Sequence, residues 1–376
     1  MPDSPANLRV LFLAPSFLSR RAHKPVRGVE IFDLHLLDQL SRRGIQLTVP
    51  AERYWNRVFA ERIPQATFDT FFFPGPRKCG IPGIISAIAL RRRPFDLIVL
   101  GNNARGLLWG LPLLRPKKRG TRILVLAHRG TREDFLDAVH DYDMEVIAVS
   151  DLVAETFRAN GREPRRLETY YGIPNADVFP PPPDGHRLSD RDGIVRFGVL
   201  GKLDSPQKGA DEAIAAYLAL PDAVRHRAEL HLASYVSPPT DAPAGVVMHP
   251  WIPTPETPAF LHTLDVYVAS SKIQETFGQS VVQAMLTGLP IIATPLRAHV
   301  EKLDDGGGII VDDVEAMTDA MQHMILNSDE RKRTGERAMQ TARDRYVWDA
   351  DVFIERYLRS ASPSASEPRV EAVANG

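Results

Sequence analysis

The sequence predicts two Rossmann-like, doubly wound α/β domains in tandem. Strand and helix patterns alternate along the whole chain, the alternation restarts after a proline-rich break, and 376 residues suit two cores of ordinary size better than one. Short apolar runs separated by helix-length amphipathic segments signal a parallel sheet wrapped by helices. In the first half the runs are LRVLFLAP, DLIVLGN, RILVLAH and EVIAVS. The second half opens the pattern again with VRFGVLG, AELHLAS, DVYVAS, PIIAT and GIIVD. Between them stands Phe179-Pro180-Pro181-Pro182-Pro183-Asp184-Gly185, which cannot serve a central ladder and reads as an extended linker. The expected domains are therefore 1–178 and 179–345. VWDADVFIERYL follows as a helix, within an expected segment 346–360, with Trp348, Phe353 and Tyr357 at helical spacing. The small, polar tail 361–376 is expected to be disordered. Two such sheets on one linker leave a cleft, and ligands bind beyond the C-terminal ends of the strands.

Composition narrows the class. Hydrophobic residues make up 44% and charged residues 25%, as in a soluble globular protein. The start, MPDSPANLRVLFLAPSF, lacks the basic opening and long apolar run of a signal peptide, and no stretch approaches the ~20 apolar residues of a membrane span. Cys79 stands alone, which excludes an intrachain disulfide and a cysteine metal cluster and makes a reduced, cytoplasmic setting the default. The net charge of −1 hides an asymmetry: residues 1–180 hold 27 Lys+Arg against 19 Asp+Glu, and the remainder is acidic. Arg20-Arg21, Arg77-Lys78, Arg91-Arg92-Arg93 and Lys117-Lys118-Arg119 form basic clusters. They are either solvated surface that attracts the other half, or a face for an anionic membrane or an acidic acceptor. No nucleic-acid partner is expected.

Four segments carry candidate chemistry. In DVYVASSKIQETFGQSVVQAMLTGLPIIAT a strand ends near Ser270 and a helix begins near Gly278, whose free N–H groups suit an anion. Glu275 precedes that helix and Gln283 lies within it, eight positions on; a carboxylate accepts from sugar hydroxyls and an amide both donates and accepts. The simpler alternative makes Glu275 an electrostatic cap and Gln283 a surface residue. In VRFGVLGKLDSPQKGADEAIAAYLAL, Lys202 and Lys208 share one loop at a strand end and can meet a diphosphate, although loop lysines are usually only solvated. That loop has neither the GxxxxGK[ST] of a phosphate-loop NTPase nor the GxGxxG of a dinucleotide site, which disfavours a nicotinamide dehydrogenase. Gly28, at a strand-to-helix junction, allows close backbone approach to a ligand or serves helix packing. His128 directly follows RILVLA, where it either binds a ligand or is a hydrogen-bonded structural histidine.

In this order the segments resemble the retaining glycosyltransferases of the GT-B fold, specifically family four, over nearly the whole chain. ETFGQSVVQAMLTGLPIIAT resembles that family's E-x7-E signature, and GKLDSPQKG its G-R-L-x-x-x-K-G stretch. RGVEIFDLHLLDQLSRRGIQLTV is similar to the glycine-rich entry helix, YYGIPNADVFPP to the segment before the hinge, and YVWDADVFIERYL to the helix that crosses back to the first domain. The resemblance implies that Lys202 and Lys208 bind the donor pyrophosphate and that Glu275 contacts sugar hydroxyls. It places the amides of Phe277, Gly278 and Gln279 at sugar and phosphates, Gln283 at the ribose, Ile252 beside the base and Gly28 near the diphosphate. His128 would bond to the transferred sugar, which makes His128, Glu275, Lys202 and Lys208 the catalytic set. Three positions depart from the pattern: Arg27 stands where a first glycine is usual, Lys202 replaces arginine and so loses its bidentate fork, and Gln283 replaces the second glutamate.

The implied reaction moves a hexose from a UDP- or GDP-sugar to an acceptor hydroxyl with retention, a phosphate oxygen taking the proton and domain closure excluding water. Cations and helix N–H groups stabilise the leaving diphosphate. With no D-x-D motif at a plausible place, no metal or other cofactor is expected. Asn102, Asn103, Arg105, Arg129 and Arg132, at strand edges of the first domain, are the acceptor candidates, for a glycan, lipid-linked or small-molecule acceptor. Lipid linkage would bring peripheral contact at the inner membrane face. The competing readings are a nucleotide-sugar epimerase of the same fold, which turns donor over without acceptor, and a silent nucleotide-sugar-binding scaffold, suggested by Gln283.

Overall fold

The computed structural model describes residues 8–18, 28–72, 88–159, 161, 164–183, 185, 187–235 and 241–359. The chain forms two compact units, Tyr171–Trp348 being one and the segments on either side of it the other. The linker expected over 179–185 lies inside the second unit, where Phe179 is buried and the Pro180 carbonyl accepts from His262 Nε2 at 2.8 Å. The division falls earlier because Ile173 pairs with Val347 and exchanges backbone bonds with Tyr346 and Trp348, which fixes both crossing strands to the second unit. The expected disordered tail, Cys79 and the clusters Arg20-Arg21 and Arg77-Lys78 lie outside the described residues.

The first unit holds a seven-stranded parallel sheet of β1 (Arg9–Leu13), β2 (Gln46–Ala51), β3 (Asp69–Phe72), β4 (Leu97–Leu100), β5 (Arg122–Ala127), β6 (Glu145–Ala148) and β7 (Arg166–Thr169). Its spatial order is β3-β2-β1-β4-β5-β6-β7. The second unit repeats the scheme with β8 (Val195–Leu200), β9 (Ala228–Tyr235), β10 (Val246–Pro250), β11 (Val266–Ala269), β12 (Ile291–Ala293) and β13 (Gly308–Ile310), in the order β10-β9-β8-β11-β12-β13. Both sheets are doubly wound, as expected from the sequence. The central strands β4 and β11 are buried throughout, and β1 is buried beyond Arg9, because helices cover both faces, which is why they read as apolar runs. The winding reverses between β1 and β4 and again between β8 and β11. A crevice opens beyond the C-terminal ends of the strands at such a reversal.

The helices that matter below are α1 (Gly28–Arg42), α2 (Arg53–Arg62), α3 (Glu133–Asp141), α4 (Asp151–Arg158), α5 (Ala210–Leu218), α6 (Thr257–His262), α7 (Gln279–Leu286), α8 (Arg297–Leu303), α9 (Val314–Leu326), α10 (Ser328–Arg345) and α11 (Ala350–Phe353). Alternating burial drives their packing: in α9, Met317, Ala320, Met321, Met324 and Ile325 face the sheet core, and Asp313 caps the first turn by accepting from Ala316 N at 2.8 Å. Among the described residues no helix is long and apolar enough to cross a membrane.

α11 and the wider helical turn that continues it through Arg359 belong to the first unit. Arg122 on β5 holds that turn. Its guanidinium forks onto Glu145 at 2.9 Å through both nitrogens and also donates to the carbonyls of Tyr357 and Leu358 at 3.0 Å. The Glu145 side chain is only 2% exposed, so its charge depends on this one partner. Arg122→Ala is therefore expected to cost roughly 3–5 kcal/mol, the price of stranding a buried carboxylate. Arg43→Ala removes a pair with the exposed Asp351 and hydrogen bonds to Gln39 on α1, leaves no buried charge unpaired, and should cost about 1 kcal/mol or less. Urea denaturation of both variants checks the ranking, and equal midpoints would contradict it.

Candidate functional site

The second unit's site lies at the reversal between β8 and β11. A pocket there is lined by Leu200 and Leu203 from the β8 side, Ala269 at the end of β11, Ser270 and Ser271 after it, and Lys208, Glu275, Ser280, Val281 and His299. Two loops build it, 201–209 and 270–278, and they are tied to each other. Ser270 Oγ donates to the Lys208 carbonyl at 3.1 Å, and Lys272 N donates to Gln207 O at 2.8 Å. Gly209, with φ +71°, enters α5 where any Cβ would lie 1.8 Å from Ser270 O, so only glycine lets the loops touch. That contact places Lys208 at the pocket.

Lys208 Nζ donates to Glu275 Oε1 at 2.5 Å, and Ser271 Oγ donates to the same oxygen at 3.1 Å. Burial pushes the Glu275 carboxyl up, but the charge and hydrogen bond of Lys208, helped by the Ser271 hydroxyl, hold it below the ordinary glutamate value. Glu275 is thus an ionised acceptor at neutral pH. Gly278 caps α7 at φ +73° with no side-chain cap, so the first amides of α7 have no side chain to satisfy them. A Cβ on Gly278 would come within 3.5 Å of Glu275 Oε2, which keeps the space between carboxylate and helix clear for a ligand.

The expected residues divide. Lys208 and Glu275 come together in the pocket, and Gly278 and Gln279 form the head of α7 beside Glu275, with Phe277 buried immediately before the cap. Lys202 is exposed and outside the pocket lining. Gln283, half-buried in α7, is also outside that lining, and Ile252 follows β10 with its amide 3.5 Å from Ser234 Oγ.

Sequence reasoning missed α8. The helix buries Ala298, His299, Lys302 and Leu303 while Val300 is 44% exposed, so two basic side chains occupy the inner face and an aliphatic one the outer. His299 Nδ1 lies 3.0 Å from Thr294 O. Lys302, 1% exposed, donates to Ala298 O at 3.0 Å and sits 4.6 Å and 4.9 Å from the ring centroids of Phe277 and Tyr346. Burial lowers its ammonium to about 8, against the pull of Glu301 and Glu275. The available signal was the inverted pattern in RAHVEKL, which puts Val300 on the wrong side of an amphipathic helix.

In the first unit Gly28 begins α1 with φ +36°. His128 follows β5, is buried, and packs edge-on against Phe32 with centroids 4.8 Å apart. Burial lowers it to about 4, so it is neutral, and its Nε2 is buried without a hydrogen-bond partner. Asn103, after β4, donates to Arg129 O at 2.7 Å, and its Oδ1 and that of Asn102 are likewise buried and unsatisfied. Asp33 on α1 was not anticipated: both its oxygens are buried without partners, and burial, with Glu30 nearby, raises it well above the ordinary value. Arg129 and Arg132 are exposed, and Arg105 opens a short helical turn.

Comparison with known proteins places this geometry. The family of glycosyl transferases group 1 matches residues 195–327, which contain both site loops, α7 and α8. A phosphatidyl-myo-inositol mannosyltransferase of Propionibacterium freudenreichii subsp. shermanii is 31% identical over 111 residues, 30% of this chain and 28% of that protein. The match thus spans little more than a quarter of the relative. HepE from Anabaena, solved with UDP, superposes at a TM-score of 0.70 with 15% identity, covering 93% of this chain and 98% of that one. The chain has the GT-B fold. A glycosyltransferase from Rickettsia africae reaches a TM-score of 0.70 at 15% identity over 94% and 97% of the two chains. Sucrose-phosphate synthase from Thermosynechococcus elongatus reaches 0.69 at 16% over 93% and 98%.

Proposed function

We propose that the chain is a retaining hexosyltransferase that takes a nucleoside diphosphate sugar and transfers the sugar to an acceptor hydroxyl without a metal ion. The observation that carries this reading is the Lys208–Glu275 pair at the open head of α7, inside the stretch that matches glycosyl transferases group 1. A cation and free helix amides favour the diphosphate as it leaves with growing negative charge, while an ionised carboxylate beside them accepts from sugar hydroxyls. Lys202, exposed on the same loop, adds a second cation for phosphate. Structures of HepE with UDP and with UDP-glucose make uridine donors the first to try, guanosine donors come second, and the mannosyltransferase makes mannose as the transferred sugar and lipid acceptors worth testing. The first unit takes the acceptor, with Asn102, Asn103, Arg105, Arg129 and Arg132 as candidate contacts at its strand edges, and His128 meets the transferred sugar.

Calorimetry with UDP-glucose and GDP-mannose tests the reading. One of the two is expected to bind, with the same affinity in EDTA as in magnesium, and transfer is expected to persist in EDTA. Binding or turnover that appears only with magnesium would remove the metal-free mechanism, and binding of neither nucleotide sugar would remove the donor assignment.

A further inference from the structure

His299 has no part in the mechanism above, yet α8 inverts its amphipathic pattern to bring it, 1% exposed, into the lining of the Lys208–Glu275 pocket. Its proton is placed by its neighbours. Thr294 Oγ1 donates to Ser271 O at 2.7 Å, so that hydroxyl and the Thr294 carbonyl, 3.4 Å and 3.0 Å from Nδ1, can only accept there. The proton therefore sits on Nδ1, and neutral Nε2 carries a lone pair. Burial, the largest influence, lowers the imidazole and keeps it neutral. Nε2 makes no hydrogen bond among the described residues, and it is not one of the sealed, unsatisfied atoms, so it is open to the pocket.

We propose that His299 is a specificity-determining residue whose Nε2 accepts a hydroxyl of the transferred sugar, beside the Glu275 carboxylate. Glu275 Oε1 is occupied by Lys208 and Ser271, which leaves Oε2 and His299 Nε2 as two acceptors on one pocket wall. Such a wall selects a ligand that brings hydroxyl donors, and it offers nothing to a phosphate. The inference rests on the nucleotide-sugar reading and deepens it: His299 discriminates the sugar, while Lys208 and α7 hold the diphosphate.

The test compares UDP with UDP-glucose, and GDP with GDP-mannose, by calorimetry on the full chain. His299→Asn keeps an amide donor for the Thr294 carbonyl but is too short to present an acceptor where Nε2 stands. His299→Gln restores a side-chain oxygen at about that reach. In His299→Asn the nucleotide sugar is expected to bind roughly three- to tenfold more weakly, the worth of one hydrogen bond, with the free diphosphate within twofold of wild type. His299→Gln should recover most of the loss. Equal losses for sugar and diphosphate, or an unchanged sugar affinity, would overturn the proposal and make His299 a packing residue. If His299→Asn does not fold, as judged by its melting curve, His299→Ala decides by the same ratio: a loss confined to the nucleotide sugar, with the diphosphate within twofold of wild type, supports the contact, and parallel losses or no loss refute it. Wild type that binds neither diphosphates nor nucleotide sugars defeats the donor reading itself, a result distinct from any change of ratio.

Discussion

Replacing Glu275 by alanine is expected to lower kcat by roughly 100-fold or more, in the range that follows loss of one charged contact in an active site, with a near-native melting temperature. Among the described residues the carboxylate hydrogen-bonds to Lys208 and Ser271, and Lys208 keeps access to solvent once it is gone. Lys208 is 30% exposed, so its freed ammonium is partly screened and the stability cost stays small. The diagnostic feature is the split between substrates. Diphosphate affinity should be kept or improved, because Lys208 no longer shares its charge with a carboxylate, while turnover of the nucleotide sugar collapses. The pH behaviour follows from the sign of the shift. Because the folded Glu275 is held below its ordinary value, its pairing contributes stability above the usual glutamate range, and this is lost as pH falls through the lowered value. A variant with wild-type kcat and donor KM would reduce Glu275 to a partner that holds Lys208 in place.

Apart from the edge strand β13, read as GIIVD, the strands that the sequence disclosed lie in the interior of the sheets. LRVLFLAP, RILVLAH and DVYVAS fill central positions, and continuous burial leaves an unbroken apolar signature. The strands it did not list lie toward the margins. β3, β7 and β10 are edge strands, and their sequences, DTFF, RLET and VVMHP, carry polar residues or a proline that a one-sided environment tolerates. β2 is the exception, since QLTVPA is well buried but contains Pro50, which masks its period. The break at Pro180–Pro183 is real as chain chemistry, yet the pairing of Ile173 with Val347, remote in sequence, decides where the units divide.

The site divides along the same physical line. Lys208 and Glu275 were legible because each sits in a short loop between a recognisable strand and helix, where polar residues have few structural reasons to be. Their direct contact spans 67 positions and could not be read from either loop alone. His299 and Lys302 escaped for the opposite reason. A helix reading assigns charged side chains to solvent, and only the fold shows that α8 turns them inward toward Glu275 and Phe277. Asp33 escaped likewise, as one of two acids within the amphipathic IFDLHLLDQL.

Lys208→Ala is expected to weaken nucleoside diphosphate binding by more than tenfold, because two effects add. The charge-assisted contact to phosphate is lost, worth ~1.5–3 kcal/mol. The Glu275 carboxylate, relieved of its counter-charge at 2.5 Å, then faces the phosphates directly and repels them. A double-mutant cycle separates the two. In a Glu275→Ala background the further change Lys208→Ala should cost clearly less than it does in wild type, since there is no carboxylate to unmask. Lys202→Ala, on an exposed side chain outside the pocket, should cost less than Lys208→Ala and show no coupling to Glu275. Calorimetry with UDP and GDP on the four proteins of the cycle and on Lys202→Ala measures each term. Additive losses for Lys208 and Glu275 would mean that their contact does not govern the phosphate site. A Lys208→Ala protein that binds diphosphate as wild type does would place the phosphates away from the head of α7, and the donor geometry built on that helix would fall with it.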